Sequence, residues 1–182
     1  MKIALIGLPG SGKSTIGRQL AARLDLEFFD SDAIIESQLN CSVRKFFERE
    51  GEAAFRKIEH TVIDDLTQKM SGVVSTGGGA VLTLANRCML GERCQTIYLH
   101  SSPDAIFKRL RHDRTRPLLQ VENPLARLNE LYAERDPFYR ETAFFTVDTG
   151  HFSAPAVVNM IAARLTPGFG HVGPDGNPTA AD

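Results

Sequence analysis

The chain has 182 residues, with 21 Lys and Arg against 22 Asp and Glu, and three cysteines. This length predicts one domain with a sizeable core, and a formal net charge of −1 gives no general attraction to a polyanion such as DNA. The cysteines lack the C-x-x-C spacing of zinc and redox sites. No stretch fits a signal peptide or a membrane span, so we expect a reducing, cytoplasmic setting.

A glycine-rich loop follows the first predicted strand, residues 2–7. Residues 7–15, GLPGSGKST, fit the pattern G-x-x-x-x-G-K-[ST] of a phosphate-binding P-loop. Such a loop turns its backbone N–H groups inward, and a helix that follows it presents a positive N-terminal end to the same anion. Ser14 is then the expected magnesium ligand. We expect the phosphates of a nucleotide to contact Gly10, Ser11, Gly12, Lys13, Ser14 and Thr15.

Strand-like and helix-like segments alternate along the rest of the chain. This order predicts an α/β fold with a mostly parallel sheet that is covered on both faces. The helical periodicity is clearest over residues 52–69 and 153–165. The predicted strands are 2–7, 26–30, 72–76, 95–100 and 144–148.

Two carboxylates stand at the end of the second predicted strand, in Asp30-Ser31-Asp32. One interpretation is a helix N-cap, since Asp and Ser oxygens accept from the first free N–H groups of a helix. The carboxyl ends of parallel strands are also where ligands bind. Beside a triphosphate, one carboxylate can hold magnesium while the other orients an acceptor hydroxyl.

Three glycines, Gly77 to Gly79, follow the third predicted strand. A plain turn needs fewer, and the run allows backbone N–H groups to approach a ligand closely. Many P-loop enzymes carry a second acidic motif here, and this chain has none. Magnesium must therefore rely on Ser14, phosphate oxygens, water and Asp30.

Arginines are concentrated in residues 108–116. A solvated helix face is the common explanation of such a run, but it does not explain Arg116 beside Pro117 in a segment, 111–124, that has the composition of a mobile loop. A mobile arginine can close on a γ-phosphate. Arg56 and Arg135 are isolated, and spacing alone favours surface residues paired with neighbouring acids. With an anionic acceptor, two guanidinium groups would form a natural carboxylate clamp.

Taken together, these motifs resemble those of the shikimate kinases over about residues 1–166. The resemblance implies a P-loop kinase fold with a five-stranded parallel sheet of order 2-3-1-4-5, an acceptor-binding region near 31–60 and a lid near 111–124. It implies transfer of the ATP γ-phosphoryl group to the 3-hydroxyl of shikimate. The motifs are the P-loop at 7–17, Asp-Ser-Asp at 30–32, Gly-Glu-x-x-Phe-Arg at 51–56, Thr-Gly-Gly-Gly at 76–79, Arg-Pro-Leu-Leu at 116–119 and Arg-x-Pro-x-Tyr at 135–139.

The same resemblance implies roles for single residues. Asp32 would bind the shikimate hydroxyls, and Arg56 and Arg135 would hold its carboxylate, with Gly78 and Gly79 lining the same pocket. On the nucleotide side, Arg116 of the lid would reach the phosphates. Asp30 would lie near magnesium, Arg109 against adenine, and the loop 149–155 would complete the adenine site. Kinases of this type are usually monomeric, so we expect a monomer that binds shikimate and ATP, with no nucleic acid or membrane partner.

Three alternatives stay open at this point. Another small-molecule P-loop kinase would phosphorylate gluconate or a nucleoside monophosphate instead of shikimate. A nucleotide-dependent regulatory protein would keep the fold without turnover, although it would not need the two acceptor arginines. A nucleic-acid binder would use the 108–116 cluster, against the near-neutral net charge. Residues 167–182, rich in Gly and Pro, are expected to be a disordered tail.

Overall fold

A computed structural model of the chain describes residues 1–111 and 121–165. Its strands are β1 (Lys2–Ile6), β2 (Glu27–Asp30), β3 (Gly72–Ser75), β4 (Gln95–His100) and β5 (Phe145–Asp148). Its α-helices are α1 (Lys13–Leu24), α2 (Ser31–Leu39), α3 (Val43–Glu50), α4 (Glu52–Lys69), α5 (Leu84–Arg93), α6 (Pro103–Leu110), α7 (Pro124–Thr142) and α8 (Ala154–Leu165), and a 3₁₀ turn spans Ala80–Leu82. The bounds of every predicted strand agree with the structure to within one residue.

The five strands form one parallel sheet in the order β2-β3-β1-β4-β5. This confirms the predicted topology. β1 lies at the centre, where Leu5 is in register with Ser75 of β3 and with Ile97 of β4. Because all five strands run the same way, their carboxyl ends share one edge, and the loops that follow β1, β2 and β3 meet there.

Both faces of the sheet are covered, as the near-continuous apolar strands require. Successive side chains of β1 point to opposite faces of the sheet. Ile3 and Leu5 pack with helices α1 and α8, whereas Ala4 and Ile6 pack with residues from α4, α5 and α7. All four side chains are fully buried, and full burial of each Ile or Leu contributes about 1.5–3 kcal/mol to folding.

A smaller apolar cluster holds α2, α3 and α4 together beside the sheet. It is built around Ile35, Phe46, Phe55 and Val62. This cluster supports the segment predicted to bind the acceptor, residues 31–60.

Several predicted features lie outside the described residues. Most of the lid at 111–124, including Arg116, is among them, and so is the tail at 167–182. Within the described ranges, no helix is long and apolar enough to cross a bilayer.

Candidate active site

A polar pocket of about 240 Å³ lies at the carboxyl edge of the sheet. It is lined by the loop after β1, by Asp30 at the end of β2 and Asp32 in α2, and by Ser75, Thr76 and Gly78 at the carboxyl end of β3. A larger cavity of about 350 Å³ lies elsewhere, between β2, α2 and α4, and contains none of the predicted site residues. The chemistry of the lining therefore identifies the smaller pocket as the candidate site.

The P-loop has the backbone geometry that phosphate binding needs. Gly10 and Gly12 have φ values of 84° and 92°, in the left-handed region that favours glycine. Helix α1 starts directly after this turn, at Lys13, so its N-terminal N–H groups face the pocket. The Lys13 ammonium is largely buried and donates to the Gly7 and Leu8 carbonyls at 2.8 and 2.9 Å.

Asp30 caps a helix and also contacts the P-loop. Its Oδ1 accepts from the backbone N–H groups of Asp32 and Ala33 at the start of α2, at 3.1 and 3.2 Å. Its Oδ2 accepts from the Ser14 hydroxyl at 2.8 Å. The N-cap interpretation is therefore confirmed for Asp30, and its other oxygen lies at the P-loop, where its magnesium role stays a prediction. Two oxygen ligands suited to Mg²⁺ are thus already side by side.

Asp32 lies in the first turn of α2, where burial and the neighbouring Asp30 charge raise the pKa of its carboxyl, against the opposing effect of Lys13. Its position between the P-loop and α4 suits a carboxylate that contacts the group attacking a phosphate. A raised pKa also makes the carboxylate a better proton acceptor than an exposed aspartate.

The three consecutive glycines bring the backbone against three site groups. A Cβ at Gly77 would lie 2.7 Å from Asp32 Oδ1, and one at Gly78 would lie 2.8 Å from the ring of Pro9 in the P-loop. A Cβ at Gly79 would overlap the Arg56 guanidinium. None of the three has a positive φ. A side chain at any of the three positions would therefore have to displace a neighbouring site group, and close approach rather than an unusual backbone turn explains the glycines.

Arg56 lies on α4 with its guanidinium at the glycine run. Its side chain is 17% exposed, and it pairs with Glu52 at 3.1 Å and with Glu59 at 2.6 Å. The pairing with neighbouring acids agrees with the expectation from spacing, but the side chain is mostly buried.

Glu59 is a buried acid at the candidate site that sequence reasoning missed. It is fully buried, and its Oε2 accepts from Arg56, whereas its Oε1 is buried without a hydrogen-bond partner. Burial raises the pKa of Glu59, while the charges of Arg56 and Arg135 lower it. Both arginines are thus within electrostatic reach of one carboxylate. The only signal in the sequence was its i, i+3 spacing from Arg56, which many surface pairs share.

Arg135 projects from α7 and is also mostly buried, with 12% of its side chain exposed. Its Nε is buried without a hydrogen-bond partner and lies 3.9 Å from Glu134. The structure therefore brings Asp32, Arg56, Arg135 and the glycine run to one side of the P-loop. Arg116 lies outside the described residues, so its place relative to this group stays a prediction.

A separate pocket of about 170 Å³ lies on the other side of the P-loop, with apolar walls that include Ile16, Phe152 and Val157. Arg109 borders it, donating to the carbonyl of Gly10 at 3.1 Å and to that of Thr149 at 3.0 Å. Such a slot suits an adenine base. Phe152 belongs to the loop 149–155 that was expected to complete the adenine site, whereas Ile16 and Val157 were not predicted there, because apolar residues in a helix carry no distinctive pattern.

Comparisons with known proteins agree with this geometry. The shikimate kinase family model matches residues 9–166. A shikimate kinase of Paracidovorax citrulli is 53% identical over 168 residues, covering 91% of this chain and 92% of the relative. One from Ralstonia nicotianae is 51% identical over 163 residues, covering 90% and 86%.

Solved structures give the same result. Shikimate kinase from Acinetobacter baumannii, solved in complex with shikimate, is similar with a TM-score of 0.84 and 39% identity, over 92% of this chain and 94% of that one. Shikimate kinase from Aquifex aeolicus has a TM-score of 0.78 and 33% identity, over 91% and 96%. On its sequence and its fold, this chain belongs to the shikimate kinase family.

Proposed function

We propose that the chain transfers the γ-phosphoryl group of ATP to the 3-hydroxyl of shikimate, giving ADP and shikimate 3-phosphate. The observation that carries this proposal is that the phosphate-binding loop and the residues expected to bind the acceptor both lie against residues 77–79. The P-loop touches this run at Pro9, and the acceptor residues touch it at Asp32 and Arg56. A phosphate donor and an anionic acceptor would thus meet at one short backbone segment.

The acceptor is held by opposite charge. Arg56 and Arg135 both interact electrostatically with Glu59, and two neighbouring guanidinium groups would suit the two oxygens of a carboxylate. Both belong to helices fixed by the core, so shikimate would be anchored at one end with its hydroxyl directed toward the P-loop. Such orientation is a large part of the rate enhancement in phosphoryl transfer.

Asp32 and Lys13 act on the two reacting partners. Asp32 hydrogen-bonds to the acceptor hydroxyl and takes up its proton as the new bond to phosphorus forms. The transition state is loose, so the larger contribution of Asp32 is orientation. Lys13 exchanges its contacts with the loop carbonyls for phosphate oxygens, and Arg116 adds positive charge when the lid closes and excludes water.

Mg²⁺ would be held by Ser14 and Asp30 together with phosphate oxygens and water. The donor set fits, since both residues offer hard oxygen ligands 2.8 Å apart. Among the residues that the structure describes, no group of three or more His, Cys, Asp or Glu side chains could hold a metal alone. When bound, the ion would neutralise phosphate charge. Every described residue used here belongs to one chain, so a monomer would suffice.

A coupled ADP-release assay with different acceptors tests the proposal. We expect ADP formation with shikimate, and only background formation with gluconate or with nucleoside monophosphates. ADP release that does not depend on shikimate, or that responds to one of the other acceptors instead, would contradict it.

A further inference from the structure

The segment after β3 is held by side chains from three different helices. We call residues 77–82, which contain the glycine run and the 3₁₀ turn, the acceptor strap. Its tethers are hydrogen bonds from the Gly77 N–H to Ser31 Oγ at 3.1 Å, from the Tyr139 hydroxyl to the Gly78 carbonyl at 2.5 Å, from Asn86 Nδ2 to the Ala80 carbonyl at 2.9 Å, and from Arg87 Nη1 to the Val81 carbonyl at 2.8 Å.

Tyr139 supplies a tether from α7. Its side chain is buried, and its ring stacks on that of Tyr98 with 4.9 Å between the centroids. The Tyr98 hydroxyl donates elsewhere, to Asp136 Oδ1 at 2.8 Å. Stacking between two buried rings restricts the Tyr139 ring, and the Tyr139 hydroxyl holds the Gly78 carbonyl in a defined place.

The same hydroxyl also interacts with an acceptor-binding residue. Arg135 lies four residues before Tyr139, which puts both on one face of α7. Burial raises the pKa of the Tyr139 hydroxyl, and hydrogen bonding and charge from Arg135 oppose that rise. One hydroxyl thus connects the arginine that would hold the shikimate carboxylate to the strap that lies against Asp32, Pro9 and Arg56.

We propose that Tyr139 is a positioning residue for the acceptor: its hydroxyl fixes the acceptor strap relative to Arg135 and so sets the affinity for shikimate. The inference rests on the proposed function. It assigns Tyr139 no contact with either substrate. The nucleotide should be less affected, because its phosphates would be bound by residues 10–15, and none of these residues makes a tether to the strap.

The test is Tyr139→Phe, with Tyr98→Phe as its matched control. Each substitution removes one buried phenol hydroxyl and keeps the ring. Each of these hydroxyls donates to a residue in a different element of the fold, Gly78 for Tyr139 and Asp136 for Tyr98. In Tyr98→Phe, Asp136 keeps its partner Arg140 at 2.8 Å. Both variants should therefore lose thermal stability to a similar degree, which makes stability the readout of a purely structural role.

The two variants should differ in steady-state kinetics. Tyr139→Phe should raise KM for shikimate about three- to tenfold, a loss typical of one hydrogen bond, and leave KM for ATP within about twofold. Tyr98→Phe should leave both values near those of the unsubstituted protein. Replacing Tyr139 by 4-aminophenylalanine, which restores a donor at the same place, should bring KM for shikimate back toward its original value.

Three results would overturn the inference. They are an unchanged KM for shikimate in Tyr139→Phe, the same change in both variants, and an equal rise in KM for both substrates. If the Tyr139→Phe protein is too unstable to assay, the 4-aminophenylalanine variant decides. The inference then requires that this variant keep the KM for shikimate of the unsubstituted protein. If the unsubstituted protein shows no shikimate-dependent activity, the proposed function itself fails and the inference fails with it.

Discussion

Gly79→Ala is the substitution that most sharply tests how the acceptor site is built. Gly79 has φ −95° and ψ 1°, a backbone conformation that alanine can adopt. The added methyl group therefore causes no backbone strain. Its Cβ would lie 2.7 Å from Arg56 Cζ, whereas ordinary contact begins at 3.4 Å. Arg56 Cζ must therefore move by at least about 0.7 Å, and Nη2, which the Cβ would overlap, must move further.

The consequence for binding follows from the size of this shift. A displacement of about 1 Å at a substrate-positioning group can cost about a hundredfold in rate. We therefore expect kcat/KM for shikimate to fall about ten- to a hundredfold, mostly through KM, while KM for ATP stays within about twofold. Steady-state assays in which each substrate is varied in turn would measure both values.

Gly91→Ala is the matched control. Gly91 lies inside α5, and the nearest atom that its Cβ would meet is the Thr142 carbonyl oxygen at 3.9 Å. The methyl group displaces nothing there and should raise the free energy of unfolding by about 0.5–1 kcal/mol, the preference of a helix for alanine. A Gly79→Ala protein with an unchanged KM for shikimate would refute the reasoning, because Arg56 could then move without loss of binding.

Three further substitutions test other parts of the site. Asp32→Asn should lower kcat about a hundredfold or more while KM for ATP stays unchanged, and an unchanged kcat would remove Asp32 from the mechanism. Glu59→Gln should gain stability relative to the unsubstituted protein in urea unfolding as the pH rises above 4.5, the ordinary pKa of glutamate. The reason is that a carboxyl with a raised folded-state pKa stabilises the fold below its ordinary pKa and loses that contribution as pH rises through the raised value. A stability difference that is constant with pH would contradict this. Arg109→Ala should raise KM for ATP about tenfold through loss of its contacts with Gly10 and Thr149, and a larger effect on shikimate would argue against an adenine-side role.

The parts of the site that the sequence predicts are those whose chemistry depends on contiguous residues. The P-loop requires glycines, a lysine and a hydroxyl at fixed spacing, so residues 7–15 identify phosphate binding without any tertiary contact. The alternation of strands and helices predicts a mostly parallel sheet, but the order of its strands was predicted only through the family resemblance.

Burial is what the sequence does not reveal. Glu59 and Arg56 are spaced like an ordinary surface pair on a helix, and only the packing of α4 against the sheet shows that the pair is buried. Tyr139 and Gly78 are 61 residues apart, and their contact depends on how α7 crosses the loop after β3. The glycine run indicated close approach, but the three protein groups that it meets became visible only in the folded chain.

Identification of the reaction product tests the central claim most directly. The protein, ATP, Mg²⁺ and shikimate are incubated together, and the products are examined by mass spectrometry and by ¹H and ³¹P NMR. We predict one ADP formed for each molecule of shikimate consumed, and a single phosphorylated product that carries its phosphate on the 3-hydroxyl. ADP accompanied only by inorganic phosphate, or a phosphate on a different hydroxyl, would contradict the account.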